Sequence, residues 1–177
     1  MNLVQWSLLI GLLATAVGYD VATRRIPNWL VCVSLLGSLM CSANGASNLE
    51  FTASLFGAVT GLLVLFPFYV LRVMGAGDVK LLGAVGALLG PIPVIGAAVL
   101  TLAAGGVLSI MAALGSQSLP RVLTNLRLML FVFAAGRSSG MSVRDISTTG
   151  RLPYAVAIAS GTGLQLWLAA RGGWPFV

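Results

Sequence analysis

The sequence predicts an all-α polytopic membrane protein with six transmembrane helices and its N-terminus outside. Hydrophobic residues make up 58% of the chain and charged residues 8%, whereas about 25% of the residues of a soluble domain are charged. The apolar residues form runs near the length of a membrane span, which needs about 20 residues. Because 177 residues leave little room beyond such spans, residues 1–177 are predicted to form a single membrane-embedded domain.

The first three helices are predicted from apolar runs at residues 3–19, 29–43 and 51–71. No Lys or Arg precedes the first run, and Arg24 and Arg25 follow it. This order is the reverse of a signal peptide's and predicts a retained first helix. Pro27 disfavours helix at the residue before it and suits the start of the second helix. A turn-rich segment without basic residues, 44–48, precedes the third run.

The next apolar stretch, residues 81–114, is interrupted by Gly90-Pro91-Ile92-Pro93. Two prolines remove two backbone donors and fit poorly in a continuous helix, so two helices are predicted, over residues 80–89 and 94–114. With this split, all of the ten Lys and Arg residues except Arg171 lie on one side of the membrane. The positive-inside rule makes that side cytoplasmic.

The long loop between helices five and six is predicted to lie in the cytoplasm. Residues 119–135 combine two arginines near one end with many large apolar side chains, which favours an interfacial amphipathic helix over the alternative of a seventh span. Residues 138–150 are polar and rich in Gly, Ser and Thr, which predicts a flexible connection. The last span is predicted over residues 152–170.

Composition excludes several classes of function. The chain has no His and only two Cys, both inside an apolar run, so zinc clusters, haem ligation and Ser/His or Cys/His catalysis are not expected. No metal or cofactor is predicted. The basic residues form neither a cluster nor an aromatic-interleaved stripe, which argues against nucleic-acid binding. The lipid bilayer is the predicted environment, and homo-oligomerisation is left open.

Two acidic residues, Asp20 and Asp78, are predicted to meet. Asp20 lies at the cytoplasmic end of helix one and Asp78 at the cytoplasmic start of helix four, and the two intervening helices return the chain to the same side. Intramembrane acids are costly and usually functional. Carboxylates that share a site tend to hold one proton between them, so the ionised acid can activate water while the protonated one polarises a carbonyl. The alternative is interfacial charges paired with nearby basic residues, namely Arg24, Arg25, Arg72 or Lys80.

The residues around the two acids have weaker candidate roles. Gly75 and Gly77 lack a Cβ and could admit a substrate backbone, or they could let helices pack tightly. Lys80 points away from Asp78 on a regular helix, and lipid phosphate or an acidic substrate residue is its predicted partner. Arg24 and Arg25 are predicted to anchor the topology and could contact substrate. Pro27 and Asn28 are expected to shape and cap the second helix, and Tyr154 could line the site.

Three stretches resemble those of the type IV prepilin peptidases, membrane aspartic proteases of the Gly-x-Gly-Asp class. They are Asp20-Val21-Ala22-Thr23-Arg24-Arg25-Ile26-Pro27-Asn28, Gly75-Ala76-Gly77-Asp78-Val79-Lys80-Leu81 and Leu152-Pro153-Tyr154-Ala155. The resemblance implies an aspartic endopeptidase that removes the leader peptide of prepilin or pseudopilin substrates at the cytoplasmic face of a bacterial or archaeal inner membrane. It also implies that Asp20 and Asp78 are the catalytic pair.

Larger members of that family carry paired Cys-x-x-Cys motifs and methylate the new N-terminus. This chain lacks those cysteines and resembles the short, peptidase-only members, such as those of Flp/Tad-type pilus systems, which implies cleavage without N-methylation. Two other functions stay open. One is a small ion- or proton-coupled transporter with paired acids, and the other is a non-catalytic pilus assembly subunit.

Overall fold

The computed structural model describes residues 1–71, 74–115, 154–172 and 175–176. These residues form six helices and no strand, which confirms the all-α class. The predicted interfacial helix at 119–135, the connection at 138–150 and residues 152 and 153 lie outside the described residues. The helices are α1 (Leu3–Thr23), α2 (Asn28–Ala43), α3 (Phe51–Val70), α4 (Ala76–Leu89), α5 (Pro91–Gly115) and α6 (Tyr154–Ala170).

Three of the described helices are long and apolar enough to cross a membrane, over Leu3–Thr23, Phe51–Val70 and Pro91–Ala112. α2 and α6 are apolar but shorter, and α4 has only 14 residues. At a rise of about 1.5 Å per residue, α4 is roughly 21 Å long and shorter than the hydrocarbon core of a bilayer. The chain is thus a membrane protein, and the count of six spans stays a prediction.

The short helix α4 is the centre of the bundle. Val79 and every residue from Leu81 to Leu89 are buried, and α1, α2, α3 and α6 all contact it. A helix that is apolar on every side is stable where other helices surround it. α4 therefore holds Asp78, in its first turn, in a fixed place relative to the other helices.

Glycines bring α3 and α4 into backbone contact. Gly57 and Gly61 of α3 are four residues apart and face Leu82, Gly83 and Gly86 of α4. A Cβ placed on Gly57 would overlap the carbonyl group of Gly86, and one on Gly86 would overlap that of Gly57. This is the small-residue packing by which membrane helices approach closely.

The junction between α4 and α5 is shorter than predicted. The expected loop of residues 90–93 is a single residue, Gly90, with φ 91° and ψ 174°, a conformation that suits glycine. Pro91 and Pro93 lie inside the first turn of α5. Because amides in a first turn have no intrahelical acceptor, proline costs no hydrogen bond there.

The proline at the start of α5 nevertheless leaves one carbonyl of α4 without a helical donor. The oxygen of Ala87 would accept from the amide of residue 91, and proline has none. Instead the hydroxyl groups of Ser38 in α2 and Ser54 in α3 both donate to the Ala87 oxygen, each at 2.7 Å. Both serines are buried, so they satisfy a polar group in the apolar interior.

The first of two compact units comprises residues 1–105 and 153–177. It contains every described residue that the sequence singles out for the site. The second unit comprises residues 106–152, and its described part is the end of α5, residues 106–115. The prediction of a single domain stays a prediction.

Candidate active site

Asp20 lies in the last turn of α1, which extends beyond its predicted end to Thr23. The side chain is 5% exposed, and its Oδ2 atom accepts a hydrogen bond from the amide of Ala155 at 2.8 Å. Ala155 is the second residue of α6, and amides in a first turn need an acceptor from outside the helix. The partial positive charge of a helix N-terminus also attracts a carboxylate.

The contribution of Ala155 was not predicted from the sequence. A signal for it exists, because Leu152 and Pro153 precede α6 and neither can cap a helix through its side chain. A helix start without Ser, Thr, Asp or Asn at the cap needs an acceptor from elsewhere in the fold. Only the packing identifies Asp20 as that acceptor.

Asp78 is the third residue of α4 and is half-buried. Its Oδ2 atom accepts a hydrogen bond from the amide of Gly75 at 3.1 Å, which is the acidic half of a capping box. Gly75 is extended, with φ −77° and ψ 152°, so its backbone would accept other residues. A Cβ at Gly75 would lie 3.2 Å from Asp78 Oδ2, and glycine thus leaves the carboxylate uncrowded.

Asp20 and Asp78 lie within electrostatic reach of each other, so that their negative charges repel. Asp78 in turn acts electrostatically on the phenol of Tyr154, the first residue of α6. The structure therefore brings together side chains from α1, α4 and α6.

The half-buried ring of Tyr154 lies directly against Gly105 of α5. A Cβ at Gly105 would overlap the phenol of Tyr154, so this glycine sets where the ring can lie. Gly105 was not predicted as a site residue. The sequence signal was weak, since the chain contains 22 glycines.

The loop between α1 and α2 is tightly shaped. Arg24 ends α1 in a left-handed conformation, with φ 52°, and its amide donates to the Asp20 carbonyl at 2.9 Å. Pro27 is the N-cap residue of α2 and makes no side-chain cap bond. Arg24 and Arg25 are both exposed, as expected for residues at the edge of a helical bundle.

The expectation that Asn28 caps α2 is wrong. Asn28 is the first helical residue of α2, and its Oδ1 atom accepts a hydrogen bond from Lys80 Nζ at 3.1 Å. Lys80 therefore has a partner within this chain, whereas lipid phosphate or an acidic substrate residue was predicted. Beside this contact, a Cβ at Gly77 would lie 3.2 Å from Ile26 Cβ. The absence of a side chain at Gly77 lets the loop approach α4.

A sequence model of the type IV leader peptidase family matches residues 7–110. The match covers more than half of the chain and includes both aspartates. The chain belongs to the type IV leader peptidase family. Membership implies leader peptidase activity on prepilin-type substrates in general. It also agrees with the apolar helices that indicate a membrane protein. Neither the curated proteins nor the solved structures include a significant match to the chain.

Main-chain amides at helix starts donate to both acids, to Asp20 from α6 and to Asp78 from α4. Each carboxylate thus has a main-chain donor in a fixed place. Two carboxyl groups that interact electrostatically can share one proton, with one group acting as base and the other as acid. Among the described residues, no three His, Cys, Asp or Glu side chains come together as metal ligands.

Proposed function

We propose that this protein is an aspartic endopeptidase that removes the leader peptide of prepilin or pseudopilin substrates, with Asp20 and Asp78 as its catalytic pair. One observation carries the proposal. Two acids from different helices interact electrostatically while each accepts a hydrogen bond from a main-chain amide. Membership of the type IV leader peptidase family supports a peptidase reaction for this pair.

The chemistry requires one proton on the pair. The ionised carboxylate takes a proton from a water molecule as the water oxygen attacks the scissile carbonyl carbon. The protonated carboxyl group donates to the carbonyl oxygen, which yields a tetrahedral diol. Collapse of the diol breaks the C–N bond. The leaving amine takes a proton from the acid that received one from water, while the other carboxylate takes a proton back from a diol hydroxyl. The pair thereby regains its single proton, and the products are a carboxylic acid and an amine.

We place the site at the cytoplasmic face of a bacterial or archaeal inner membrane, in a single domain of six spans with its N-terminus outside. Asp20 lies in the last turn of α1 and Asp78 in the first turn of α4, which suits a common depth. The exposed Arg24 and Arg25 adjoin this end of α1, and basic loops favour the cytoplasmic side.

The proposal includes cleavage without N-methylation, as in the short members of Flp/Tad-type pilus systems. The two cysteines of the chain, Cys32 and Cys41, both lie in α2, so this sequence supplies no paired Cys-x-x-Cys motifs. Mass spectrometry of the processed pilin measures this directly, since a methyl group adds a fixed mass to the new N-terminus.

Co-expression with a prepilin in cells that lack their own leader peptidase tests the catalytic pair. The wild-type chain should remove the leader, and both Asp20→Asn and Asp78→Asn should abolish removal. Glu50→Gln is the matched control, because Glu50 is exposed before α3 and its side chain makes no cap bond. Complete processing by either aspartate variant contradicts the proposal.

Two outcomes would assign another function. Carboxylate-dependent proton flux in liposomes, without peptide cleavage, would indicate a transporter. Normal piliation supported by both aspartate variants would indicate an assembly subunit that binds pilins without cutting them.

A further inference from the structure

A hydrogen bond joins the two segments that carry the acids, at a point beside the candidate site. Lys80 Nζ donates to Asn28 Oδ1 at 3.1 Å, and these residues are 52 positions apart in the chain. Lys80 follows Asp78 by two residues on α4. Asn28 is the first residue of α2 and comes directly after the loop that connects α1, which carries Asp20, to α2. The bond therefore spans from one acid-bearing segment to the other.

The chain between Asp20 and Asn28 has little freedom. The amide of Arg24 donates to the Asp20 carbonyl at 2.9 Å. The Thr23 hydroxyl is within hydrogen-bond distance of the carbonyls of Tyr19 and Arg25, at 2.8 and 3.2 Å. The ring of Pro27 restricts its own φ, which is −66°. We therefore expect a displacement of Asn28 to reach Asp20.

The helix that carries the other end of the bond is also held in place. Lys80 belongs to α4, whose residues from Leu81 to Leu89 are all buried. The contact of Ile26 with Gly77 lies beside the bond and would hold the loop near α4 without it. Loss of the bond should consequently loosen the loop without unfolding the protein, since an exposed polar contact contributes little to stability.

We propose that Lys80 is a positioning residue, whose amine holds Asn28 and thereby fixes the Asp20 carboxylate relative to Asp78. The inference rests on the proposed function, because it assigns the bond a role in the reaction of the same pair. It replaces lipid phosphate or a substrate acid as the partner of Lys80 with a residue of this chain.

Kinetics of the purified enzyme in detergent, with a prepilin substrate, test the proposal. Lys80→Met and Asn28→Leu should each lower kcat by about 10- to 100-fold, since small misplacements of catalytic groups cost this much. KM should stay within about two-fold, because neither residue is assigned to substrate binding. Asn28→Asp keeps an oxygen acceptor for the amine and should retain most of kcat.

The double variant Lys80→Met/Asn28→Leu separates positioning from a direct role. If the two residues act through one bond, the double variant should be no slower than the slower single variant, because the second change removes nothing further. Asn48→Leu is the matched control, since Asn48 is exposed in the loop between α2 and α3, and it should leave kcat unchanged. Thermal unfolding of each variant checks that the fold is retained.

A rise in KM with unchanged kcat in Lys80→Met, together with a harmless Asn28→Leu, would overturn the proposal and assign Lys80 to an acidic substrate residue. A rise in KM with unchanged kcat that is found only in vesicles of anionic lipid would assign Lys80 to lipid phosphate. Unchanged kinetics in both single variants, while Asp20→Asn and Asp78→Asn remain inactive, would refute the positioning role alone. Activity in the aspartate variants would instead refute the proposed function.

Discussion

The Oδ2 atom of Asp20 accepts a hydrogen bond from the amide of Ala155 at 2.8 Å, although 135 positions separate the two residues. The bond joins the end of α1 to the start of α6 in a buried environment. It satisfies an amide that α6 cannot satisfy by itself. Asp20 therefore has a structural function, as the external cap of α6, besides the catalytic one proposed for it.

This double role predicts different effects of two substitutions. Asp20→Asn keeps a side-chain oxygen that can accept from Ala155, whereas Asp20→Ala leaves that buried amide without an acceptor. Asp20→Ala should be less stable than Asp20→Asn by about 1–3 kcal/mol, the cost of an unsatisfied buried donor. Thermal unfolding in detergent measures the difference, and both variants should be inactive. Equal stability of the two would argue against the capping role.

Ser38 and Ser54 are predicted to substitute for each other. Both donate to the Ala87 carbonyl, which Pro91 leaves without a helical donor. Ser38→Ala or Ser54→Ala alone should cost below about 1 kcal/mol, whereas the double variant should cost about 1–3 kcal/mol, because a buried acceptor is then unpaired. The free energies of unfolding of the two single variants and the double variant measure these costs. Strictly additive effects would indicate that each serine acts independently.

The contact between α3 and α4 should tolerate no added methyl group. Gly57→Ala would overlap the Gly86 carbonyl and should destabilise the protein by about 1–3 kcal/mol through overpacking. Gly11→Ala is the matched control, because a Cβ at Gly11 meets no described atom within 4 Å. It should unfold at the wild-type temperature or above. Comparable melting of both variants would contradict close packing at Gly57.

Gly75→Ala is expected to impair activity without impairing the fold. The backbone of Gly75 is in an ordinary extended conformation, but the new methyl carbon would lie 3.2 Å from Asp78 Oδ2. Crowding should displace the carboxylate and lower kcat by about ten-fold. Leader cleavage by the purified variant, with its unfolding temperature, tests this. Wild-type turnover would show that the carboxylate has room for the methyl group.

Much of the helix order could be predicted because apolar runs and turn residues are local features of the chain. The start of α1 at Leu3, the end of α2 at Ala43 and the start of α3 at Phe51 coincide with the predicted positions. The predicted loop of residues 90–93 is longer than the observed one, because proline disfavours the interior of a helix but not its first turn. Pro91 and Pro93 are accommodated because first-turn amides have no intrahelical acceptor.

Site contacts were harder to predict, because they depend on which segments pack together. Counting helices and basic residues predicted that Asp20 and Asp78 would meet, and the structure brings them within electrostatic reach. Asn28 was predicted to cap α2, which is the preference of asparagine near a helix start. A donor from α4 proved to be its partner, and local sequence carries no information about it.

The helical membrane class, the family and the two acids proposed for the reaction could be read from the sequence, because composition, periodicity and motif spacing are properties of one chain. The long-range contacts of Asp20 and of the loop that follows it depend on the tertiary structure. The Ala155 amide reaches Asp20 and the Lys80 amine reaches Asn28 across 135 and 52 positions. Hydrogen bonds require donor and acceptor within about 3 Å, and only the packing of α4 among its neighbours determines such distances.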